Sequence, residues 1–187
     1  MSSVKKWKND FAHLLKLPNI ITNNGLIDTM IRNNNNNEKN MNSLIKSTCI
    51  YYYQNGNTRC KSYCENHIWH RLDGPASIWY HENGNIEYKM YYENGKKHRL
   101  DGPAYIEYYN NGNVRCEKYF VNNRRHRLDG PAIINYYENG NIRDINYYCN
   151  DKRHRLDGSA YVYYAIDGNI SLEEYWVNGK KKKMNKI

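Results

Sequence analysis

Apolar and polar residues alternate in short runs along most of the chain, and asparagine–glycine pairs separate the runs. In residues 76–80 (ASIWY), apolar side chains occupy every second position, the period-2 pattern of a β-strand. Residues 82–85 (ENGN) indicate a turn, because Asn-Gly tolerates the positive φ of hairpin turns. A second alternating run follows at 86–92. The segment 76–92 is therefore predicted to form a β-hairpin.

The hairpin pattern repeats every 28 residues. The motif HRLDGPA begins at His70, His98 and His126, and HRLDGSA begins at His154. Four full repeats are therefore predicted at 70–97, 98–125, 126–153 and 154–181, after a degenerate copy at 47–69 that lacks the motif. Self-similarity at a fixed period is typical of stacked repeat proteins.

The repeats predict a mainly β fold, an elongated and twisted antiparallel sheet of stacked β-hairpins that resembles a solenoid. About ten strands are expected, and strands about 4.8 Å apart place equivalent residues of neighbouring repeats roughly 10 Å apart. The 20 tyrosines, against 2 phenylalanines, favour strands with half-exposed faces. Leu, Ile and Val are too sparse for a large core.

Residues 1–32 differ from the repeats. Trp7, Phe11, Leu14 and Leu15 lie on one side of a predicted short helix that ends before Pro18. This segment is expected to be either a cap on the first hairpin or a docking segment. Residues 33–46 are expected to be an asparagine-rich linker and the start of the degenerate repeat, and residues 182–187 a basic tail.

The net charge of +9 lies in the two ends of the chain. Residues 1–46 contribute +4 (7 Lys/Arg, 3 Asp/Glu), residues 180–187 contribute +5, and residues 47–179 contain 16 basic and 16 acidic residues. This distribution argues against a simple nucleic-acid-binding domain. Five cysteines in no regular pattern favour reduced thiols, and we expect a cytoplasmic protein without a transmembrane segment or signal peptide.

The repeat columns resemble the MORN-repeat variant, a family of large DNA viruses and of bacteria, where some members belong to toxin–antitoxin systems. The matching residues include 101–104 (DGPA), Tyr108-Tyr109, 111–113 (NGN) and Tyr119, and the resemblance covers about 47–181. It implies stacked β-hairpins and a scaffold or interaction role without catalytic residues. A viral member would be found in the host cytoplasm or in the virion.

The repeated HRLDG motif is better explained as a turn than as an active site. It lacks the spacing and companion motifs of a kinase catalytic loop, and His98 and Asp101 alone offer too few metal ligands. Arg99 is expected to reach Asp101 or the aspartate of an adjacent repeat. The leucines of the four motifs, Leu72, Leu100, Leu128 and Leu156, are expected to pack under the turns as an apolar ladder. The predicted structural turn residues are Asp73, Gly74, Asp101, Gly102, Asp129, Gly130, Asp157 and Gly158.

One short segment contains two cysteines and two histidines that could bind zinc. However, Cys60, Cys64, His67 and His70 are compactly spaced, and both cysteines align with strand tyrosines of the next repeat. Packed strand cysteines are therefore favoured, and no metal or other cofactor is predicted.

Two functional hypotheses follow. The first is a non-enzymatic scaffold that binds an unknown protein through a tyrosine-rich face, with Tyr91, Tyr119, Tyr147 and Tyr175 as contacts. The second is an adaptor that binds an anionic membrane surface or nucleic acid through a basic edge of turns and through the basic tails. The predicted edge comprises Lys97, Arg99, Arg125, Arg127, Arg153 and Arg155.

Overall fold

Residues 45–183 form a series of antiparallel strands. The computed structural model describes these residues, so the helix and cap predicted at 1–32 lie outside the described residues. The strands are β1 (Lys46–Tyr52), β2 (Thr58–Glu65), β3 (Ile68–Trp69), β4 (Ser77–Tyr80), β5 (Ile86–Met90), β6 (Tyr92–Glu93), β7 (Lys96–Lys97), β8 (Tyr105–Tyr108), β9 (Val114–Lys118), β10 (Phe120–Val121), β11 (Arg124–Arg125), β12 (Ile133–Tyr136), β13 (Ile142–Asn146), β14 (Tyr148–Cys149), β15 (Lys152–Arg153), β16 (Tyr161–Tyr164), β17 (Ile170–Val177) and β18 (Lys180–Lys182).

The longer strands form one antiparallel sheet. Its order is β1-β2-β4-β5-β8-β9-β12-β13-β16-β17-β18, so each long hairpin lies beside the next one in the chain. The short strand β3 pairs with β2 outside this order. The predicted antiparallel sheet of consecutive hairpins is confirmed, and no helix occurs within residues 45–183.

A glycine with positive φ closes each long hairpin. At Gly84 φ is 89°, and its amide donates to the His81 carbonyl over 2.9 Å. The His81 amide in turn donates to the Asn85 carbonyl over 2.8 Å, and the strand register shifts between Trp79 and Tyr80. Glycine suits this bulged turn because it adopts positive φ without a steric penalty.

The asparagine and tyrosine columns tie successive turns together. The Asn113 side chain donates from Nδ2 to the Glu138 carbonyl over 2.8 Å. The Tyr109 hydroxyl donates to the Tyr136 carbonyl over 2.7 Å. Equivalent bonds connect other repeats, for example from Asn85 to Asn110. These columns therefore satisfy backbone carbonyls of the next repeat, which explains their recurrence without a catalytic role.

Each repeat also contains a second, shorter hairpin that the sequence pattern did not predict. In the pair β6–β7, Asn94 and Gly95 have φ values of 48° and 73°, as in a type I′ turn. The Gly95 amide donates to the Trp69 carbonyl of the preceding short hairpin over 2.9 Å. The short hairpins therefore stack beside one another along one end of the long hairpins.

The core is a narrow row of small side chains. The motif alanines Ala76, Ala104, Ala132 and Ala160 are all 0% exposed. Ile134 and Val162 are buried on one face of the sheet, and Cys60 and Cys116 are buried on the other. Because the alanine sites are completely enclosed, a larger side chain there would have to displace its neighbours.

Candidate functional site

The arginine of each HRLDG motif lies over the ring of a tyrosine eight residues earlier. In the second full repeat, the Arg99 guanidinium carbon is 4.1 Å from the Tyr91 ring centroid, and Nε donates to Asp101 Oδ1 over 2.8 Å. We call this set of three side chains the arginine clamp. The same clamp joins Tyr63–Arg71–Asp73, Tyr119–Arg127–Asp129 and Tyr147–Arg155–Asp157, with ring distances of 4.0 to 4.2 Å.

The motif glycine gives the clamped guanidinium its space. A Cβ added to Gly102 would lie 3.0 Å from Arg99 Cζ, and Gly130 is equally close to Arg127. These glycines have no positive φ, in contrast to the glycines of the long hairpins. The HRLDG glycine is therefore required by the close approach of a side chain and not by the backbone conformation.

The clamp also fixes the charge state of its aspartate. The hydrogen bond from Arg99 lowers the pKa of the Asp101 carboxyl below its ordinary value, and Asp129 is affected in the same way by Arg127. The same bond raises the pKa of the Arg99 guanidinium. Each HRLDG loop thus carries a paired positive and negative charge, which agrees with the neutral balance of the repeats.

The prediction that the motif leucines pack under the turns was wrong. Leu72, Leu100, Leu128 and Leu156 are 77%, 81%, 84% and 79% exposed. The reason is that the preceding arginine occupies the space over the tyrosine, so the next side chain points to solvent. The structure therefore presents one exposed leucine per full repeat, on a loop held by the arginine clamp.

A groove separates the first two HRLDG loops. Between the first two loops it has a volume of about 410 Å³ and is lined by Leu72, Leu100, Tyr91, Arg71 and Arg99, among others. Its walls combine apolar side chains with the outer edges of the clamp. Such a groove can accept a single apolar side chain of a partner while the guanidinium groups donate hydrogen bonds.

The motif histidine holds the short hairpin of its own repeat. His98 Nδ1 accepts a hydrogen bond from the Asn122 amide over 3.2 Å, and His70 Nδ1 accepts from the Asn94 amide over 3.0 Å. The same bond recurs at His126 and His154. The repeated histidine therefore satisfies a turn amide, a structural task that all four copies share.

The four tyrosines predicted to contact a partner are all partly buried. One ring face of Tyr91, Tyr119 and Tyr147 is covered by the arginine of a clamp. Tyr175 lies on β17 opposite Lys182, and no arginine among the described residues covers its ring. The spacing of eight residues between tyrosine and arginine was the signal in the sequence that could have revealed the clamp.

The six cations predicted to form a basic edge all point towards rings or carboxylates. Arg125 donates to Asp151 Oδ1 over 2.8 Å, and Arg153 binds Glu174 over 3.1 Å. Lys97 Nζ lies 6.0 Å from the Tyr105 ring centroid, and the remaining three are the clamp arginines Arg99, Arg127 and Arg155. Their positive charge is therefore largely balanced or covered within the fold.

A different row of cations faces solvent. Lys96, Arg124, Lys152 and Lys180 precede the inward-facing cations by one position and are exposed. They form no ion pair or ring contact with another described residue. Alternation along a strand turns adjacent side chains to opposite sides, so each Lys/Arg pair contributes one inner and one outer cation. We call these four residues the outer cation row.

The long hairpin of the third full repeat, β12–β13, contains a polar cluster. Asp144, which is 7% exposed, accepts hydrogen bonds from Asn135 over 2.7 Å and from Asn146 over 3.1 Å. Arg143 binds its second oxygen over 3.1 Å. Because both carboxylate oxygens are occupied by these donors, the cluster acts as a polar contact between strands.

The comparisons with known proteins found no match. No protein-family model, no curated protein and no solved structure matches the chain. Within residues 45–183, no three metal-ligating side chains are arranged to hold an ion, and Cys60 and Cys64 are buried on β2. No helix in that range is long and apolar enough to cross a membrane. The fold places the chain in the class of β-hairpin repeat proteins.

Proposed function

We propose that the protein is a non-enzymatic repeat scaffold that binds another protein along its HRLDG loops. The observation that carries this proposal is the row of four leucines, each at least 77% exposed, on loops that the arginine clamps hold in place. The repeat spacing and hairpin architecture also support assignment to the MORN-repeat variant. The binding surface differs from the tyrosine column, because arginines cover three of those rings.

Exposed leucines on fixed loops provide favourable binding energy. Burying one leucine side chain contributes about 1.5–3 kcal/mol. The clamps order the loops before binding, so little conformational entropy remains to be lost when a partner docks. Four equivalent leucines in one row therefore form a surface suited to an extended partner.

The spacing of the loops suggests the conformation of that partner. Equivalent loops are two strands apart, or roughly 10 Å. A polyproline II helix has three residues per turn and a rise of about 3.1 Å, so every third side chain recurs after about 9 Å on the same side. We therefore infer an extended segment with an apolar side chain at every third position, seated in successive grooves between loops.

Fluorescence anisotropy with two synthetic peptides tests this proposal. One peptide repeats Pro-Pro-Leu, and the other repeats Pro-Pro-Pro-Leu with the same number of leucines. The protein should bind the first peptide at least several-fold more tightly, because only its leucines match the loop spacing. A variant in which all four motif leucines are replaced by serine should lose this preference, whereas Ile142→Thr, at an exposed isoleucine elsewhere, should retain it. Equal binding of both peptides, or an unchanged peptide preference in the variant with four serines, would refute the proposal.

The outer cation row supports a second candidate function, binding of anions. Four exposed cations that form no ion pair with another described residue lie at the repeat spacing, and Lys181 and Lys182 extend the positive charge at the end of the row. Replacing the four row residues with glutamine should lower the salt concentration that elutes the protein from heparin. In the control variant, glutamine replaces Lys61, Lys89, Arg115 and Lys118, which removes the same amount of positive charge from the sheet faces. Equal effects of both variants would show that only net charge matters.

A further inference from the structure

The two ends of the long sheet carry exposed apolar side chains. At the first edge, β1 pairs only with β2, and Ile50 and Tyr51 are 39% and 43% exposed. At the other edge, residues 170–174 of β17 pair only with β16, and Ile170 and Leu172 are 57% and 47% exposed. Within residues 45–183, no second strand pairs with β1 on its outer edge or with residues 170–174 of β17, while β18 pairs only with residues 175–177.

The positions equivalent to Ile50 and Leu172 are less exposed inside the sheet, where a further repeat lies beside them. The 28-residue period aligns Ile50 with Ile134 and Val162, which are 9% and 4% exposed. It aligns Leu172 with Cys116 and Asp144, which are 3% and 7% exposed. The difference between the ends and the interior therefore measures what an adjacent repeat covers.

Each internal junction joins the second strand of one repeat to the first strand of the next. At the junction between β13 and β16, Asp144 lies opposite Tyr163, and Ile145 lies opposite Val162. By the same period, and within residues 45–183, β17 is a second strand without a following first strand, and β1 is a first strand without a preceding second strand. The two edges are therefore complementary halves of one junction.

We propose that β17 of one copy pairs antiparallel with β1 of a second copy, so that the sheet continues from molecule to molecule. The internal register predicts that Leu172 lies opposite Tyr51, and Glu173 opposite Ile50. A glutamate opposite an isoleucine already occurs inside the sheet, at Glu117 and Ile134. Such a head-to-tail contact is heterologous and does not close at two subunits.

The backbone directions of the two edges fit this pairing. The Glu174 carbonyl accepts the Ala160 amide over 2.8 Å, so the peptide groups of the preceding Glu173 point away from β16. On β1, the Ile45 carbonyl accepts the Asn66 amide over 2.8 Å, and alternation turns the Ile50 peptide groups to the outer edge. Glu173 and Ile50 can therefore exchange two hydrogen bonds across the contact.

The contact between copies should be weaker than an internal junction. Tyr137 donates to the Tyr164 carbonyl over 2.8 Å, but Ala165 at the equivalent position of the last repeat has no hydroxyl. Asn169 Nδ2 binds Asp167 of its own turn, whereas Asn141 reaches the next repeat. Reversible assembly that depends on concentration is the expected result.

Two proline variants of the full chain test the pairing. Glu173→Pro removes an amide donor from the β17 edge, and Ile50→Pro removes one from the β1 edge. In sedimentation velocity at rising concentration, the unmodified chain should pass beyond a dimer. Each variant alone should remain mainly monomeric, with dimers in trace amounts at most. An equimolar mixture should form dimers and stop there, because each variant retains the edge that the other has lost.

A control variant distinguishes association through the sheet edges from association through the HRLDG loops. Replacing Leu100 and Leu128 with serine should leave the assembly unchanged, since these leucines lie away from the sheet edges. Circular dichroism confirms that the proline variants remain folded, and Glu173→Lys with Ile50→Lys provides a second pair if they do not. A strictly monomeric unmodified chain, assembly that ends at two subunits, or variants that assemble like the unmodified chain would overturn the proposal.

Discussion

The arginine clamp can be tested by adding one methyl group under the guanidinium. In Gly102→Ala, the added Cβ would lie 3.0 Å from Arg99 Cζ, whereas carbon atoms at rest are about 3.5–4.0 Å apart. The guanidinium carbon is also 4.1 Å from the Tyr91 ring centroid and Nε is bonded to Asp101, so both contacts restrain the shift that would relieve the overlap. The side chain must therefore leave the stack.

The expected loss follows from the contacts that are broken. A partly exposed cation–π contact contributes about 1–2 kcal/mol. Replacing glycine with alanine also restricts the unfolded chain, which stabilises the fold by about 0.4–1 kcal/mol because Gly102 needs no positive φ. The net destabilisation should be about 0.5–1.5 kcal/mol, which lowers Tm by about 2–5 °C for a chain of this size.

A double-mutant cycle measures whether the effect acts through the arginine. Thermal unfolding of Gly102→Ala, Arg99→Ala and the double variant should give a coupling of about 1–2 kcal/mol, and the glycine replacement should be neutral or stabilising once Arg99 is removed. Gly112→Ala is the control, because Gly112 has φ +91° and nothing within 4 Å of an added Cβ. It should destabilise the protein equally with and without Arg99. An unchanged cost of Gly102→Ala in the Arg99→Ala background would refute the clamp.

Three further predictions concern protonation, thiol reactivity and the motif histidine. Because the clamp aspartates have a lower pKa when folded than their ordinary 3.8, their contribution is complete above about pH 4 and is lost as pH falls through the lowered values. Tm should therefore fall less steeply below pH 4 when all four are replaced by asparagine, and equal slopes would contradict this. Burial raises the pKa of the Cys116 thiol to about 11, whereas Cys149 is partly exposed. In the native protein, iodoacetamide should therefore modify Cys149 well before Cys116, which peptide mass mapping can measure. Equal rates of modification would contradict the burial of Cys116. His98→Phe removes the acceptor of the Asn122 amide, and hydrogen exchange at that amide should accelerate while exchange at Asn94, held by His70, stays unchanged.

The repeat period and the long hairpins could be predicted because their signals are local. Alternation in strands such as β4 and β5 and the turn at Gly84 depend on residues within one hairpin. The short hairpins were missed because their strands contain only two residues each, such as Lys96–Lys97, too few to show alternation. Which lysine of such a pair faces the core depends on the strand itself, so the outer cation row was not visible from the sequence.

The position of the motif leucines could not be predicted for another reason. HRLDG forms an irregular loop, where no period assigns a side chain to one face. Leu100 would have been expected inside from its hydrophobicity, but Arg99 already occupies the space over Tyr91. Arg99 takes the inner position because its guanidinium stacks on Tyr91, which lies eight residues earlier in the chain.

The hydrogen bonds between repeats have a consequence for how chains of this kind can change in length. The recurring side-chain bonds that join one repeat to the next connect residues 25 to 27 positions apart, as in Asn113 to Glu138 and Tyr109 to Tyr136. A duplication or deletion of one 28-residue unit in register would therefore bring the equivalent residue of another repeat to the position of each lost partner. Each added unit would extend the row of loops by roughly 10 Å. Recombination within the gene can thus adjust the reach of the protein in fixed steps without creating a new packing problem.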